Sequence, residues 1–278
     1  MPGFTSRDDL LTELTTNGKR DEWNFVKTVP NTCVVGQIDS LWLGVGNPGA
    51  GANPATTPGV AYISDAAAIV AGSMWFPDRS TDLRFLTAFG AVSSQNGSLI
   101  LYDRLAGVSG VTITSTGAKT VNSAALDRFS GTAATLNECW WEMTTAITTN
   151  SLTMNLGAYT AADGVNAQVG GSVVTTTANG TAGKMIPLPF TAAKQGIRSV
   201  EAGLTIGGTA PAAGAGNVLI VRRLATIPLL ANIWNEVSFL DDVFGLPQVF
   251  DNACLGLAWL ANATTAPIIQ GTVRCVYG

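Results

Sequence analysis

The second half of this chain repeats the first, and a duplication of this size restricts the fold to two related copies of one unit. The run Ala125-Leu126-Asp127-Arg128-Phe129, followed by Asn137-Glu138-Cys139 and Trp140-Trp141, returns as Leu240-Asp241-Asp242-Val243-Phe244, Asn252-Ala253-Cys254 and Trp259. One offset of 115 aligns Phe129 with Phe244, Asn137 with Asn252 and Cys139 with Cys254 without a gap. Upstream, Leu99-Ile100-Leu101-Tyr102-Asp103-Arg104-Leu105-Ala106 matches Val218-Leu219-Ile220-Val221-Arg222-Arg223-Leu224-Ala225. Leu83 to Leu86 corresponds to Ile197 to Val200, Ala71 to Met74 to Ala182 to Met185, and Tyr159 to Tyr277. The order of the runs is kept while the offset drifts between about 111 and 119, so short insertions fall in loops.

Between these runs the pattern is that of strands and turns. Val111-Thr112-Ile113-Thr114, Leu152-Thr153-Met154-Asn155-Leu156 and Val273-Arg274-Cys275-Val276-Tyr277 alternate apolar and polar residues. Asn96-Gly97, Asn47-Pro48-Gly49, Asp163-Gly164 and Asn179-Gly180 supply turn chemistry. The expected class is all-β: two tandem antiparallel jelly-roll-like β-sandwich domains related by the internal repeat, over residues 30–160 and 161–278. Residues 1–29 have no repeat partner and read as an N-terminal arm. A helix is expected from Ser6 to about Thr16, with Ser6 as N-cap, Asp8 and Asp9 at the positive end, and Gly18 as stop. Its stripe of Leu10, Leu11 and Leu14, with Trp23 and Phe25 beyond, nominates a contact to a neighbouring subunit; packing on its own domain is the alternative.

Composition narrows the function. Charged residues make up only 12% of the 278 residues, roughly half the usual share, so the surface is mostly neutral and small-residue. A net charge of -4 with no basic run argues against a nucleic-acid partner. No apolar stretch approaches the roughly 20 residues of a membrane helix, and Met-Pro-Gly-Phe-Thr-Ser-Arg-Asp-Asp lacks the layout of a secretion signal. Cys33, Cys139, Cys254 and Cys275 have neither metal-ligand spacing nor tight pairing. They read as reduced small hydrophobes made in a cytoplasm, with a Cys254–Cys275 bond as the alternative.

Chemistry-bearing patterns are scarce. The chain has no histidine, which removes Ser-His-Asp and Cys-His catalysis and the commonest base near neutral pH. Asp241-Asp242 is the best carboxylate pair, but strand neighbours point to opposite faces, and only Asp127 recurs in the first copy, so a turn-acceptor role is expected. Gly44-Val45-Gly46-Asn47-Pro48-Gly49 has the letters of a dinucleotide fingerprint without a helix to follow it. Trp140, Trp141 and Trp259 read as core filling, with a sugar-binding cleft as the alternative. Arg104 with Arg223, and Arg84 with Arg198, recur at strand ends, as structural ties between loops would. No catalytic residue, cofactor site or metal site is nominated.

Three runs resemble head-associated structural proteins of tailed bacteriophages: Gly46-Asn47-Pro48, Gly196-Ile197-Arg198-Ser199-Val200, and Arg222-Arg223-Leu224-Ala225-Thr226-Ile227-Pro228. Leu246-Pro247 and Phe250-Asp251-Asn252-Ala253-Cys254-Leu255 continue the likeness, which spans roughly Gly36 to the end of the chain. The resemblance implies a non-enzymatic virion protein of the decoration or minor capsid type, assembled in the host bacterial cytoplasm. Its implied partner is the major capsid protein on the capsid surface. Closed symmetry favours a homo-oligomer, a trimer at local threefold positions. Two other classes compete: a receptor- or glycan-binding tail or fibre protein, and a carboxylate-based glycan hydrolase.

Overall fold

The computed structural model describes residue 4 and residues 6–55, 59–79, 82–148, 151–176, 180–191, 194–201, 203–240 and 245–278. Asn179, Asp241, Asp242 and Phe244 lie outside the described residues. A helix α1 (Arg7–Thr15) precedes strands β1 (Arg20–Thr28), β2 (Ile38–Ser40), β3 (Gly46–Asn47) and β4 (Val60–Ala61). Two long strands, β5 (Arg84–Ser93) and β6 (Gly97–Thr112), lead through β7 (Gly117–Lys119) to β8 (Asn137–Thr145), β9 (Leu152–Leu156) and β10 (Ala158–Ala161). Then come β11 (Gln168–Val169), β12 (Ser172–Thr175), β13 (Lys184–Leu188), β14 (Ile197–Val200) and β15 (Leu204–Gly208). The chain ends with β16 (Ala215–Leu229), β17 (Asn235–Ser238), β18 (Leu255–Ala261) and β19 (Ile268–Tyr277). The class is the all-β antiparallel one expected.

At the centre, β16, β8, β13, β2, β18 and β6 pair in that order, and β6 pairs back onto β16. The six strands therefore form a closed ring, which removes the edges an open sheet exposes. One wall of this ring faces the five-stranded sheet β17-β5-β19-β1-β3, and an apolar core fills the gap around Phe25, Phe89, Leu99, Trp259 and Val273. The opposite wall faces the sheets β12-β9-β15-β7 and β11-β10-β14 across a second core around Ile113, Trp141, Met154, Tyr159 and Val218. A third, smaller core of Ile100, Tyr102, Trp140, Met185, Leu219 and Val221 lies inside the ring.

The duplication is written into the pairing of β6 with β16. Asp103 faces Arg222, its own repeat mate at an offset of 119. Under that same offset, Leu99 facing Ile227 becomes Val218 facing Val108, and Leu101 facing Ala225 becomes Ile220 facing Ala106. Such register is that of a twofold axis passing between the two strands. Each copy also lends strands to the other: β5 of the first half pairs with β19 of the second, and β14 and β15 of the second pair with β10 and β9 of the first. The two sandwiches expected in tandem are thus each built from both halves, and the boundary at residues 160 and 161 divides the chain but not the sheets. The reason is burial. β6 and β16 run 16 and 15 residues, long enough for each to wall both sandwiches, so neither half covers its apolar face alone.

The N-terminal segment corrects the expectation more sharply. The helix forms as read, with Ser6 Oγ accepting from the Asp9 N–H at 3.1 Å and Gly18 at φ +63° after it. Residues 20–28, however, form β1, a strand between β19 and β3. Asp21, Trp23, Phe25 and Lys27 alternate onto its inner face, and Phe25 is buried in the sandwich core. Leu10 is buried with Phe4, Phe85 and Val276, and Leu11 and Leu14 pack on the same group. Trp23 meets Phe76 edge-on. Leu10 and Phe25 are thus buried within the chain, and Leu11, Leu14 and Trp23 are half-buried against it, the own-domain packing given as the alternative.

Trp259 pairs beside Leu99 and Trp141 beside Val218, so the two indoles are repeat mates in space, each plugging one sandwich. An indole burying about 200 Å² contributes roughly 5 kcal/mol before entropic costs. Room for them comes from repeat-mate glycines: a Cβ on Gly97 would stand 2.2 Å from Trp259, and one on Gly216 2.4 Å from Trp141. Gly97→Ala and Gly216→Ala should each lower stability by about 1–3 kcal/mol in denaturant titrations. Adding Trp259→Phe to Gly97→Ala should recover part of that loss; strictly additive effects would show that methyl and ring do not meet.

Candidate functional site

The densest polar chemistry lies inside the closed ring. Arg104 on β6 and Glu142 on β8 are both fully buried, and Arg104 Nη2 donates to Glu142 Oε2 at 2.9 Å while Nη1 reaches Oε1 at 3.3 Å. Ser40 Oγ donates to Glu142 Oε1 at 2.6 Å and Asn217 Nδ2 to Oε2 at 2.9 Å. Burial acts to raise the Glu142 pKa, but the guanidinium and these donors outweigh it and hold the carboxyl below its ordinary value. The Arg104 guanidinium lies 4.6 Å from the Trp42 ring centre and 4.9 Å from that of Tyr62. Placed between aromatic faces and a bidentate carboxylate, the pair is a framework element rather than an exposed reactive one.

Two further internal charges tie loops to the ring. Arg128 donates to both Asp103 oxygens, to the Tyr62 carbonyl at 2.6 Å and to the Arg104 carbonyl at 3.0 Å. Asp103 Oδ1 in turn accepts from the Cys254 N–H at 2.9 Å. Lys27 is different, because its buried Nζ meets only carbonyls: Gly44 at 2.8 Å, Pro48 at 3.0 Å and Gly49 at 3.2 Å. The Gly44–Gly49 loop is therefore wrapped around an ammonium, not a pyrophosphate. Without a carboxylate partner, burial pushes the Lys27 pKa down to about 8.

The residues singled out in the sequence take framework places. Trp140, Trp141 and Trp259 are buried, which leaves no cleft for a sugar at those rings. Arg84 donates to Asp21 at 2.8 Å, to Asp251 at 2.9 Å and to the Pro77 carbonyl, and Arg198 caps the Ala162 carbonyl at 2.8 Å: both tie loops. Arg104 and Arg223 diverge. The first is interior, whereas the second pairs with Glu138 at 3.0 Å on the surface and lies over the Trp140 ring. Asp127 accepts from Asn252 Nδ2, a contact between two distant loops rather than within its own turn. All four cysteines are free and buried, and Cys254 and Cys275 sit in separate cores, so no bond joins them. Sequence reading missed the Arg104–Glu142 cluster and the Lys27 cage. The signal was present: Asp103 and Arg104 interrupt an otherwise apolar run, and Glu142 follows two tryptophans.

Outside the ring, a groove of about 780 Å³ runs beside the C-terminal end of α1 over the five-stranded sheet. Arg274 spans it between Glu22 at 3.2 Å and Glu236 at 3.3 Å, exposed pairs worth well under about 1 kcal/mol each. A second depression, about 440 Å³, gathers Asp65, Asp78, Asp82 and Asp251 around Arg84. Burial raises the Asp251 pKa, and a hydrogen bond shared with Asp78 raises it further. Two carboxyls in direct contact are too close for the roughly 5–9.5 Å spacing of glycoside hydrolysis. Among the described residues no three acidic, cysteine or histidine side chains converge as a metal site. No helix of the described residues is long and apolar enough to cross a membrane.

No family model matches the chain, and no curated protein matches it. Two solved structures are faintly similar. A subviral particle of infectious bursal disease virus VP2 aligns at 10% identity over 95% of this chain and 85% of that one, with a TM-score of 0.19. The structure of the Gt strain of infectious bursal disease virus aligns at 10% identity over 93% and 81%, with a TM-score of 0.16.

Glu142→Gln leaves Arg104 buried without its counter-charge and should cost about 3–5 kcal/mol in chemical denaturation. The paired change Arg104→Met with Glu142→Leu should cost less than that single change, since no lone charge remains. Lys27 sets a pH dependence. Its proton is lost near pH 8 in the folded chain but near the ordinary 10.5 when unfolded. The unfolded chain thus holds the extra proton in that window, so stability from this group rises from about pH 8 to about pH 10. Comparing the denaturation midpoints of the wild type and Lys27→Met across that range checks it: the variant should lose this rise.

Proposed function

We propose that this chain is a structural virion protein of a tailed bacteriophage, a capsid decoration or cement protein that bridges capsid subunits. The observation that carries the reading is where the phage-like runs fall. Ile197–Val200 is strand β14, Arg222–Pro228 belongs to β16, and Gly46-Asn47-Pro48 belongs to the loop folded around Lys27. The residues that resemble head proteins therefore fall in the framework: one run in the ring, one in an outer sheet that covers it, and one in the loop that holds Lys27. A closed, interlaced framework whose internal charges are tied to carboxylates or, at Lys27, to backbone carbonyls suits a part that bears load by shape. Multivalent contact with several shell subunits would add interface that expansion or internal pressure must break.

Cryo-electron microscopy of intact particles tests this reading. Density for this chain repeating between capsomers across the head is the expected result. Density confined to a tail or fibre tip would overturn it in favour of a host-surface role. Because β1 is an internal strand, deleting residues 1–18 should leave a folded protein, whereas deleting residues 1–28 should not, as circular dichroism and thermal melting would record.

A further inference from the structure

At one end of the sandwich packed around Trp259 the exposed surface carries little charge: Lys184, which donates to the Thr32 carbonyl at 3.1 Å, is buried, and Glu236, next to Asn235, is paired with Arg274 at 3.3 Å. The segments 29–38, 93–98, 228–235 and 259–268 contain no Asp, Glu, Lys or Arg, in a chain that has 15 basic and 19 acidic residues elsewhere. Hydrogen bonds knit these four segments into one surface. Gly36 N–H donates to the Ala261 carbonyl at 2.8 Å, Ala231 N–H to Asn96 Oδ1 at 2.8 Å, Asn232 N–H to the Ser93 carbonyl at 2.7 Å, and Ile268 N–H to Ser94 Oγ at 3.0 Å. Val35, Leu230, Ile233 and Ile268 are each more than half exposed on it, and Trp234 is nearly so. Between Val35 and Leu230 runs a shallow groove of about 390 Å³.

We infer that this tip is the surface through which copies of the chain contact one another. The inference deepens the assembly role proposed above and rests on it. Clustered exposed apolar side chains mark interaction sites, and interface centres are depleted of charge. Charge also selects the occupant. On a molecule of net charge -4, an end with little charge is where two copies approach with little like-charge repulsion. The polar side chains there are amides, Asn96, Asn232, Asn235 and Asn262 among them, and Ser and Thr hydroxyls; both kinds offer donor and acceptor, so such a surface complements itself. A lipid surface fits less well: membrane-binding loops carry Lys or Arg for anionic headgroups, and these four segments have neither.

Sedimentation velocity of the full chain over a range of concentrations tests the inference. The wild type should sediment as an oligomer, and Leu230→Asp with Ile233→Asp, or Val35→Glu on the neighbouring loop, should return it to the 28.7 kDa monomer. Unchanged melting curves would show that these surface variants still fold. Val169→Asp, an equally exposed apolar position on β11, should leave the oligomer intact. A wild type that stays monomeric throughout, or an oligomer that survives the tip substitutions, overturns the inference. So does binding of the monomer to neutral phosphatidylcholine vesicles that the tip substitutions abolish, which would assign this end to lipid. Head density in particles alongside an oligomer indifferent to these variants would sink the tip and leave the capsid role standing.

Discussion

The pairing of β6 with β16 is the constraint on which the rest depends. It closes the central ring, and its two long strands provide a wall for each sandwich. Opening it would expose two unpaired edges, uncover the Tyr102–Trp140 interior and unseat both outer layers at once. The twofold register around Asp103 and Arg222 explains how a duplicated sequence meets this demand. An antiparallel pair of related strands places every contact twice, so the same apolar pattern serves both sandwiches. That economy ends at the charges, because the exposed Arg223 is not held as the interior Arg104 is.

Charge buried in and beside the closed ring is costly, and two of its carboxylates are heavily hydrogen-bonded. Glu142 receives four hydrogen bonds from three side chains, and Asp103 receives both Arg128 and a backbone N–H. Such pairs add little net stability over apolar packing, but they penalise alternatives. A slip of one residue along β6 would turn Arg104 out of the ring and Asp103 or Leu105 in, leaving Glu142 buried without its counter-charge. The cluster is thus best read as a register lock. In a duplicated chain, whose strands have look-alike partners, a lock of this kind is needed most.

Much of the framework was legible in the residues. The repeat, the strand alternation, the Ser6 cap and the buried tryptophans all follow from period and residue type, which act locally. The strand from Arg20 to Thr28 shows the limit. Its sequence alternates only at Trp23-Asn24-Phe25, since the inner face also takes the charged Asp21 and Lys27, and its lack of a repeat partner suggested an arm. Only the site of its pairing, 240 residues away on β19, makes it core. The Lys27 cage was hidden for a similar reason: its partners are backbone carbonyls, which leave no mark on side-chain pattern.

By itself, the sequence determined that this protein is all-β, duplicated, poor in charge and without histidine chemistry, because composition and periodicity depend on neighbours along the chain. Tertiary structure alone decided which copy each strand would serve. Apolar strand faces specify that they must be covered but not by which strand, and the choice fell to the long β6–β16 pair, whose twofold register let each half complete the other.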